Sequence, residues 1–288
     1  MDIPDDLIIY HYTSASTLGL ILEHQTLRAT CLAYLNDSTE VQHGLGILVE
    51  WLKEREVEYD TAWANGSISM DEHFDRMGFV RGMLTTAYNL KMRNFYGVCF
   101  SKNPDVLSQW RGYADHGRGY AIGFRAHELL NSFTCRWLRM SDVSYEKSKL
   151  IENCEQLMDH RDKVGCLYYE AVYLLVSGIK DETFAEESEC RLVLAADCNS
   201  GPLKAQNGQD YLDFRTAVKF FPRDTVLVPY VDMGLFGGVD RLPIEHILIG
   251  PGVTNKDNAE ASIELLLRKK GYEVGENMIK RSRVPFVP

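Results

Sequence analysis

The sequence predicts a mixed α+β domain over residues 1–288, with a split antiparallel or mixed sheet and helical segments at about 39–92 and 147–180 packed outside it. Short apolar runs of strand length are interspersed with longer runs of helical period. The two kinds of run interleave without the strict βαβ alternation that a parallel sheet needs. Neither a Gly-x-Gly-x-x-Gly loop nor a Walker-type loop is present.

The opening strand is Leu7–Ser14, an apolar run that ends in His11, Tyr12, Thr13 and Ser14. A helix follows over Ser16–Gln25. Asp37 or Ser38 is placed to cap a long helix from Thr39 to about Thr61, on which Val41, Leu45, Leu48, Leu52 and Val57 recur at helical spacing. A polar turn at Asn65-Gly66-Ser67 leads to a second long helix, Met70–Leu90. The period then changes to that of a strand over Asn94–Ser101. A short helix over Pro104–Arg111 starts with proline, where a missing N–H costs nothing. Three glycines (112, 117 and 119) punctuate the loop before a strand at Tyr120–Phe124. Short strands are expected at Ser132–Met140 and Asp142–Tyr145, and helix over Lys147–Gly178 with a break near Gly165. The last elements are strands at Cys190–Ala195, Ala217–Phe221, Thr225–Val231 and His246–Ile249, then a helix over Asn255–Lys270 closed by Gly271.

Composition narrows the function classes. A net charge of −10 argues against a surface built for non-specific nucleic-acid binding. The basic cluster of Arg268, Lys269, Lys270, Lys280, Arg281 and Arg283 suits a solvated helix end and tail. The seven cysteines are scattered, with no Cys-x-x-Cys pair and no zinc-finger spacing, so neither a disulfide framework nor a metal site is indicated. The acidic N-terminus lacks the pattern of a signal peptide, and Tyr168–Ile179 is too short to span a bilayer. A cytoplasmic protein is expected.

Three stretches carry chemistry. Alternation along the first strand puts Ile9, His11 and Thr13 on one face and Ile8, Tyr10, Tyr12 and Ser14 on the other. His11 is then either a satisfied core group or a ligand anchor. In the middle stretch, Trp110 and Tyr113 are three apart beside a glycine-bearing loop, a pattern that suits stacking on a planar ring or packing into the core. At the head of a later strand, Glu187, Glu189 and Arg191 alternate with the apolar set Cys190, Leu192 and Leu194. The charged set therefore meets solvent as a weak ladder or lines a cleft, where one of two neighbouring carboxylates would titrate high.

These residues resemble an uncharacterised bacterial family, a domain of unknown function. Its motifs stand here as Tyr10–Thr13, Leu35–Glu40, Ser101–Ala114 and Glu187–Arg191, with Ile249-Gly250-Pro251 near the end. The chain also has a more distant resemblance to the ADP-ribosyltransferase fold, in its His-Tyr-Glu branch and its DNA- and RNA-modifying bacterial toxins. That resemblance implies a split sheet of ADP-ribosyltransferase type and NAD as substrate. It makes His11 the anchor of the nicotinamide ribose, supported by Tyr12, Thr13 and Ser14. Ser101 lies on the middle strand, Tyr113 or Trp110 stacks on nicotinamide, Glu189 is the catalytic carboxylate, and Glu187 orients an acceptor. It further implies a toxin or anti-phage effector modifying nucleic acid or protein, with an antitoxin or other regulatory partner. The Ser-Thr-Ser triplet of the fold is absent, and the long helical segments are atypical of it. Two alternatives stay open. One is a non-enzymatic module that binds a nucleotide or a partner. The other is a metal-dependent nuclease using Asp37, Glu40, Glu187 and Glu189.

Overall fold

The computed structural model describes residues 4–35, 39–90, 95–133, 138–161, 168–195, 203–204, 210–235 and 239–286. The chain divides into two compact units: residues 1–32, 94–141 and 186–288 form one, and residues 33–93 and 142–185 the other.

The first unit is α+β. It begins with β1 (Ile8–Thr13), α1 (Ala15–His24) and β2 (Thr26–Cys31). Its middle part holds β3 (Phe95–Ser101), a short helix (Leu107–Tyr113), β4 (Tyr120–Arg125), a helix at Ala126–Ser132 and β5 (Leu138–Asp142). The last part holds β6 (Glu189–Ala195), the short pair β7 (Leu203–Lys204) and β8 (Asp210–Leu212), β9 (Lys219–Arg223), β10 (Val226–Gly234), β11 (Ile244–Ile249), a helix at Lys256–Lys269 and β12 (Ile279–Arg281). The open sheet runs β12-β11-β4-β1-β3-β2-β10-β9, with β6 also on β3 and β5 on β6. Only the β11–β12 pair is parallel among the registered pairs, so the sheet is mixed.

The second unit is helical in its described part. It contains α2 (Thr39–Ala64), α3 (Met70–Asn89) and helices at Lys147–Asp159 and Tyr168–Ser177. Leu48, Leu52, Val80, Met83, Val172 and Val176 lie at the centre of one apolar core. Burial of such side chains stabilises by roughly 1.5–3 kcal/mol each. The α3 helix starts where Ser69 accepts a hydrogen bond from the Glu72 N–H, with Asp71 and Glu72 in its first turn.

Several boundaries differ from expectation. The residues from Ala126 to Ser132 form a helix, and the strand expected from Ser132 begins at Leu138, because Leu129 and Ser132 turn inward at helical spacing. The helix expected from Pro104 starts at Leu107, since Asp105 adopts a positive φ of 59° that no α-helix accommodates. Short edge elements such as β12 carry too few residues to show a period.

The feature that organises the first unit is a fork on β3. One edge of β3 pairs with β6 along its whole length, Phe95 to Ser101. The other edge is shared: β2 takes Tyr96 and Gly97, and β1 takes Ser101 through the bridge to Tyr10. Beyond that bridge β1 leaves β3 and follows β4 from Ile8 to Thr13. Residues 98–100 of β3 therefore face a gap between two diverging strands.

Candidate functional site

The described candidate residues are organised around this fork. One cross-sheet row runs His246–Gly123–Tyr10–Ser101–Glu189, all on one face. Gly123 leaves room for the Tyr10 and His246 rings to meet, with centroids 5.5 Å apart. The next residues on this face are Tyr12 on β1 and Arg191 on β6. His11 and Thr13 alternate to the opposite face of β1, and Cys190 to the opposite face of β6.

His11 fills the gap. Its Nδ1 lies 3.1 Å from the Cys99 carbonyl oxygen on β3, and because a carbonyl only accepts, Nδ1 carries the proton. Nε2 is then an acceptor. The residue is half-buried, and burial lowers its pKa, opposed by the Cys99 hydrogen bond. The ring is neutral at pH 7.

The segment after β3 explains the middle motif. Ser101 Oγ donates to the Glu187 carbonyl at 2.7 Å, fixing the turn that precedes β6. Asp105 accepts from Trp110 Nε1 at 2.8 Å, from the Ser282 hydroxyl, and from the Arg283 N–H at 2.7 Å. Tyr12 donates its hydroxyl to the Asn103 carbonyl at 3.3 Å and accepts from the Val106 N–H at 3.1 Å. Burial pushes the Tyr12 pKa up to about 12. Trp110 is fully buried and packs edge-on against Tyr12, centroids 4.9 Å apart, beside Ala114, Ala121 and Leu248. Of the two readings open for Trp110, the core one describes this contact. Close approach makes Gly119 obligatory, since any Cβ there would fall onto the Thr13 carbonyl.

Tyr113 lies at the end of the same short helix, 40% exposed, and donates its hydroxyl to Glu187 Oε1 at 3.1 Å. Glu187 does not share a strand face with Glu189. It ends a 3-10 turn (Glu182–Glu187), and Ser188 follows with a φ of 43° before β6 begins. A left-handed residue between the two carboxylates breaks the alternation on which the common face depended. Glu189 and Arg191 do share a face, and neither meets solvent: they are 5% and 2% exposed. Arg191 holds the carboxylate with two hydrogen bonds, Nε to Oε1 at 2.6 Å and an Nη to Oε2 at 2.9 Å. A buried bidentate pair of this kind keeps Glu189 ionised and fixed in orientation.

The structure thus joins Ser101, Tyr113 and Glu187 by direct contacts and sets Glu189 beside Ser101 across the β3–β6 ladder. His11 and Thr13 lie on the other face of β1. Ser14 is the N-cap of α1, accepting from the Thr17 N–H at 3.2 Å. The short helix also buries a polar residue outside the sequence-based set. Gln109 is one helical turn before Tyr113, on the same face, and only 6% exposed. The i, i+4 spacing from Tyr113 was the available signal.

Residues 109–192 match the model of a family described as Protein of unknown function (DUF2971). An uncharacterised family is what the motifs led us to expect, and the matched span includes Trp110–Ala114 and Glu187–Arg191. No curated protein and no solved structure matches the chain. Asn36 and Asp37 of the second motif lie outside the described residues. Among the described residues no group of three or more His, Cys, Asp or Glu side chains is placed to hold a metal ion. No described helix is long and apolar enough to cross a membrane.

Proposed function

We propose that the first unit is an ADP-ribosyltransferase-like catalyst that uses NAD and transfers ADP-ribose to a nucleic-acid or protein acceptor. The observation that carries this reading is the fork on β3: diverging strands with His11 at the crotch, and an ionised Glu189 at the head of the neighbouring strand. A split sheet of ADP-ribosyltransferase type is part of the same proposal.

When NAD is bound, its glycosidic C1′–N1 bond breaks, the electron pair leaves with nicotinamide, and an acceptor oxygen or nitrogen bonds C1′ and gives up its proton. Positive charge develops on the ribose as that bond lengthens. A carboxylate set beforehand by Arg191 stabilises the charge through the ribose 2′-OH more in the transition state than in the ground state. Neutral His11 presents Nε2 as an acceptor to a ribose hydroxyl. Tyr113 offers an exposed ring for stacking, and Glu187, oriented by the Tyr113 hydroxyl, receives the acceptor's proton.

The test is nicotinamide release from NAD by the purified protein, with nucleic-acid and protein acceptors offered. Glu189→Gln is expected to lower the rate by about 100-fold or more, with the urea midpoint measured beside it to separate lost activity from lost fold. Wild type that leaves NAD intact with every acceptor, or a fully active Glu189→Gln, ends the proposal. One observation favours a second reading, a binding module without turnover: both Glu189 oxygens are already engaged by Arg191. That reading expects NAD to raise the unfolding temperature with no nicotinamide released.

A further inference from the structure

We propose that the turn joining α2 to α3 is a docking surface for a basic amphipathic segment of another protein. Trp63, Met70 and Phe74 are its apolar anchor points, and the carboxylates around them are its charge match.

Three large apolar side chains are left out of the helical core. Trp63, Met70 and Phe74 are 48–60% exposed, although Tyr59 and Met77 close by in the chain are buried in that core. Met70 and Phe74 lie four apart on one face of α3. Trp63, near the end of α2, stacks on the His73 ring with centroids 5.0 Å apart. The His73 ring meets that of Phe74 edge-on at 5.9 Å. Contiguous exposed apolar groups with a polar rim are the usual mark of a partner site. The rings are also held in place. His73 is buried, and its Nε2 donates to Asp60 Oδ1 at 2.8 Å, since an ionised carboxylate only accepts. That bond ties the end of α2 to the start of α3. Within the turn Asn65 Oδ1 accepts from the Ser67 N–H at 3.0 Å, and Ser69 caps α3. A surface fixed before its partner arrives loses less entropy on binding.

Charge around these rings selects the partner. From residue 56 to 75 the chain carries Glu56, Glu58, Asp60, Asp71, Glu72 and Asp75, and no lysine or arginine. In the pairs Arg55–Glu58, His73–Asp60, Arg76–Glu72 and Arg161–Asp75 the carboxylate is the more exposed member. Arg55 and Arg76 lie over the Trp51 and Tyr59 rings. Arg81 is the exception, more exposed than its partner Glu56, and it lies about three turns beyond Met70. The last turn of α2 has no basic residue to offset the negative end of its dipole. Solvent therefore meets apolar rings inside a negative rim. A segment with apolar side chains flanked by lysine or arginine complements both features. Nucleic acid and anionic lipid share the sign of the rim and are repelled. A second copy of this chain is a poor match. A twofold contact would set the acidic rim against itself. The chain's own basic cluster of Arg268, Lys269, Lys270 and Arg281 is already paired with carboxylates of its own unit.

The experiment titrates the full chain into two fluorescently labelled synthetic helical peptides and reads anisotropy. One peptide is built from leucine and lysine, and the other has glutamate in place of every lysine. The lysine peptide is expected to bind about tenfold or more tightly than the glutamate peptide, and to weaken as salt rises. Phe74→Ser and Met70→Ser are each expected to weaken it about tenfold. Both positions are exposed, so their unfolding temperatures should stay within about 4 °C of wild type. Asp71→Lys, at a carboxylate with no cation partner among the described residues, is expected to weaken it about threefold or more. Leu265→Ser removes an exposed leucine on the helix at Lys256–Lys269 and is expected to leave binding within about twofold. Equal binding of the two peptides, or no binding by wild type, overturns the proposal. So does binding that Phe74→Ser, Met70→Ser and Asp71→Lys leave unchanged, or a loss in Leu265→Ser as large as theirs. Self-association in sedimentation that Phe74→Ser abolishes gives the surface to a second copy and overturns the basic partner.

Discussion

The two units differ in where they put their polar groups. The helical unit buries an almost wholly apolar core, and its ion pairs, such as Arg81–Glu56 and Lys147–Glu50, sit at exposed surfaces. Among its described residues the buried polar side chains are His73, Ser177 and Lys180. Among its described residues the sheet unit buries Thr13, Ser101, Gln109, Ser132, Glu187, Glu189, Arg191 and His246, five of them (Ser101, Gln109, Glu187, Glu189 and Arg191) at one end of β3 and β6 or on the short helix beside them. Burying charge and amide costs stability that hydrophobic side chains of the same size would not. The sheet unit therefore concentrates its buried polarity, charge included, at one end of β3 and β6, a cost that the helical unit's core largely avoids.

The same substitution made in both units is the strongest way to break this comparison. Arg191→Leu takes the bidentate guanidinium away from the buried Glu189 and is expected to cost about 3–5 kcal/mol, read as a large fall in the urea midpoint. Arg81→Leu removes an exposed pair and is expected to cost no more than about 1 kcal/mol. Comparable losses from the two would sink the distinction.

Acid sharpens it next. His246 is pushed down to about 4, chiefly by burial and then by the charge of Lys280, with Glu245 opposing. Its folded value lies below its ordinary one, so the unfolded chain binds more protons between them. Stability is therefore held above about pH 6.5 and lost as pH falls toward 4. The lowered His11 adds in the same direction. Urea midpoints at pH 7 and pH 5 should fall in wild type, and fall less in His246→Gln. An equal fall in that variant would assign the acid sensitivity elsewhere.

The smallest effects test packing in the helical unit. Gly44→Ala is expected to destabilise by about 1–3 kcal/mol despite better helix propensity, because its Cβ would lie 2.8 Å from the Val176 carbonyl oxygen, which cannot yield. Gly78 has nothing within 4 Å of a Cβ. There Gly78→Ala should stabilise by about 0.5–1 kcal/mol, so thermal melts of the two variants should move in opposite directions.

Much of the fold was legible in particular residues. Val41, Leu45, Leu48 and Leu52 announce α2 by their period, and the strand run of β1 falls within the expected Leu7–Ser14. The mixed α+β class follows from these runs and from the missing βαβ alternation. Elements of a few residues, such as β12, were not legible, since a period needs several repeats. Ser188 hid the break between Glu187 and Glu189, because nothing in a serine's identity announces a left-handed φ. Tyr113 and Glu187 each stood out, but their contact spans 74 positions and leaves no local trace.

By itself, then, the sequence determined which residues could carry chemistry: a histidine at a strand end, an aromatic motif beside glycines, and a charged triplet heading a strand. Local propensity and alternation reach that far because they depend on neighbours in the chain. Only the tertiary structure decided how those residues combine. The fork on β3 directs His11 into a gap, the Arg191 guanidinium closes on Glu189, and the turn at Ser188 carries Glu187 to Tyr113. Each of these depends on strand pairing between segments distant in the chain, whose register is set by burial across the whole sheet and not by any local signal.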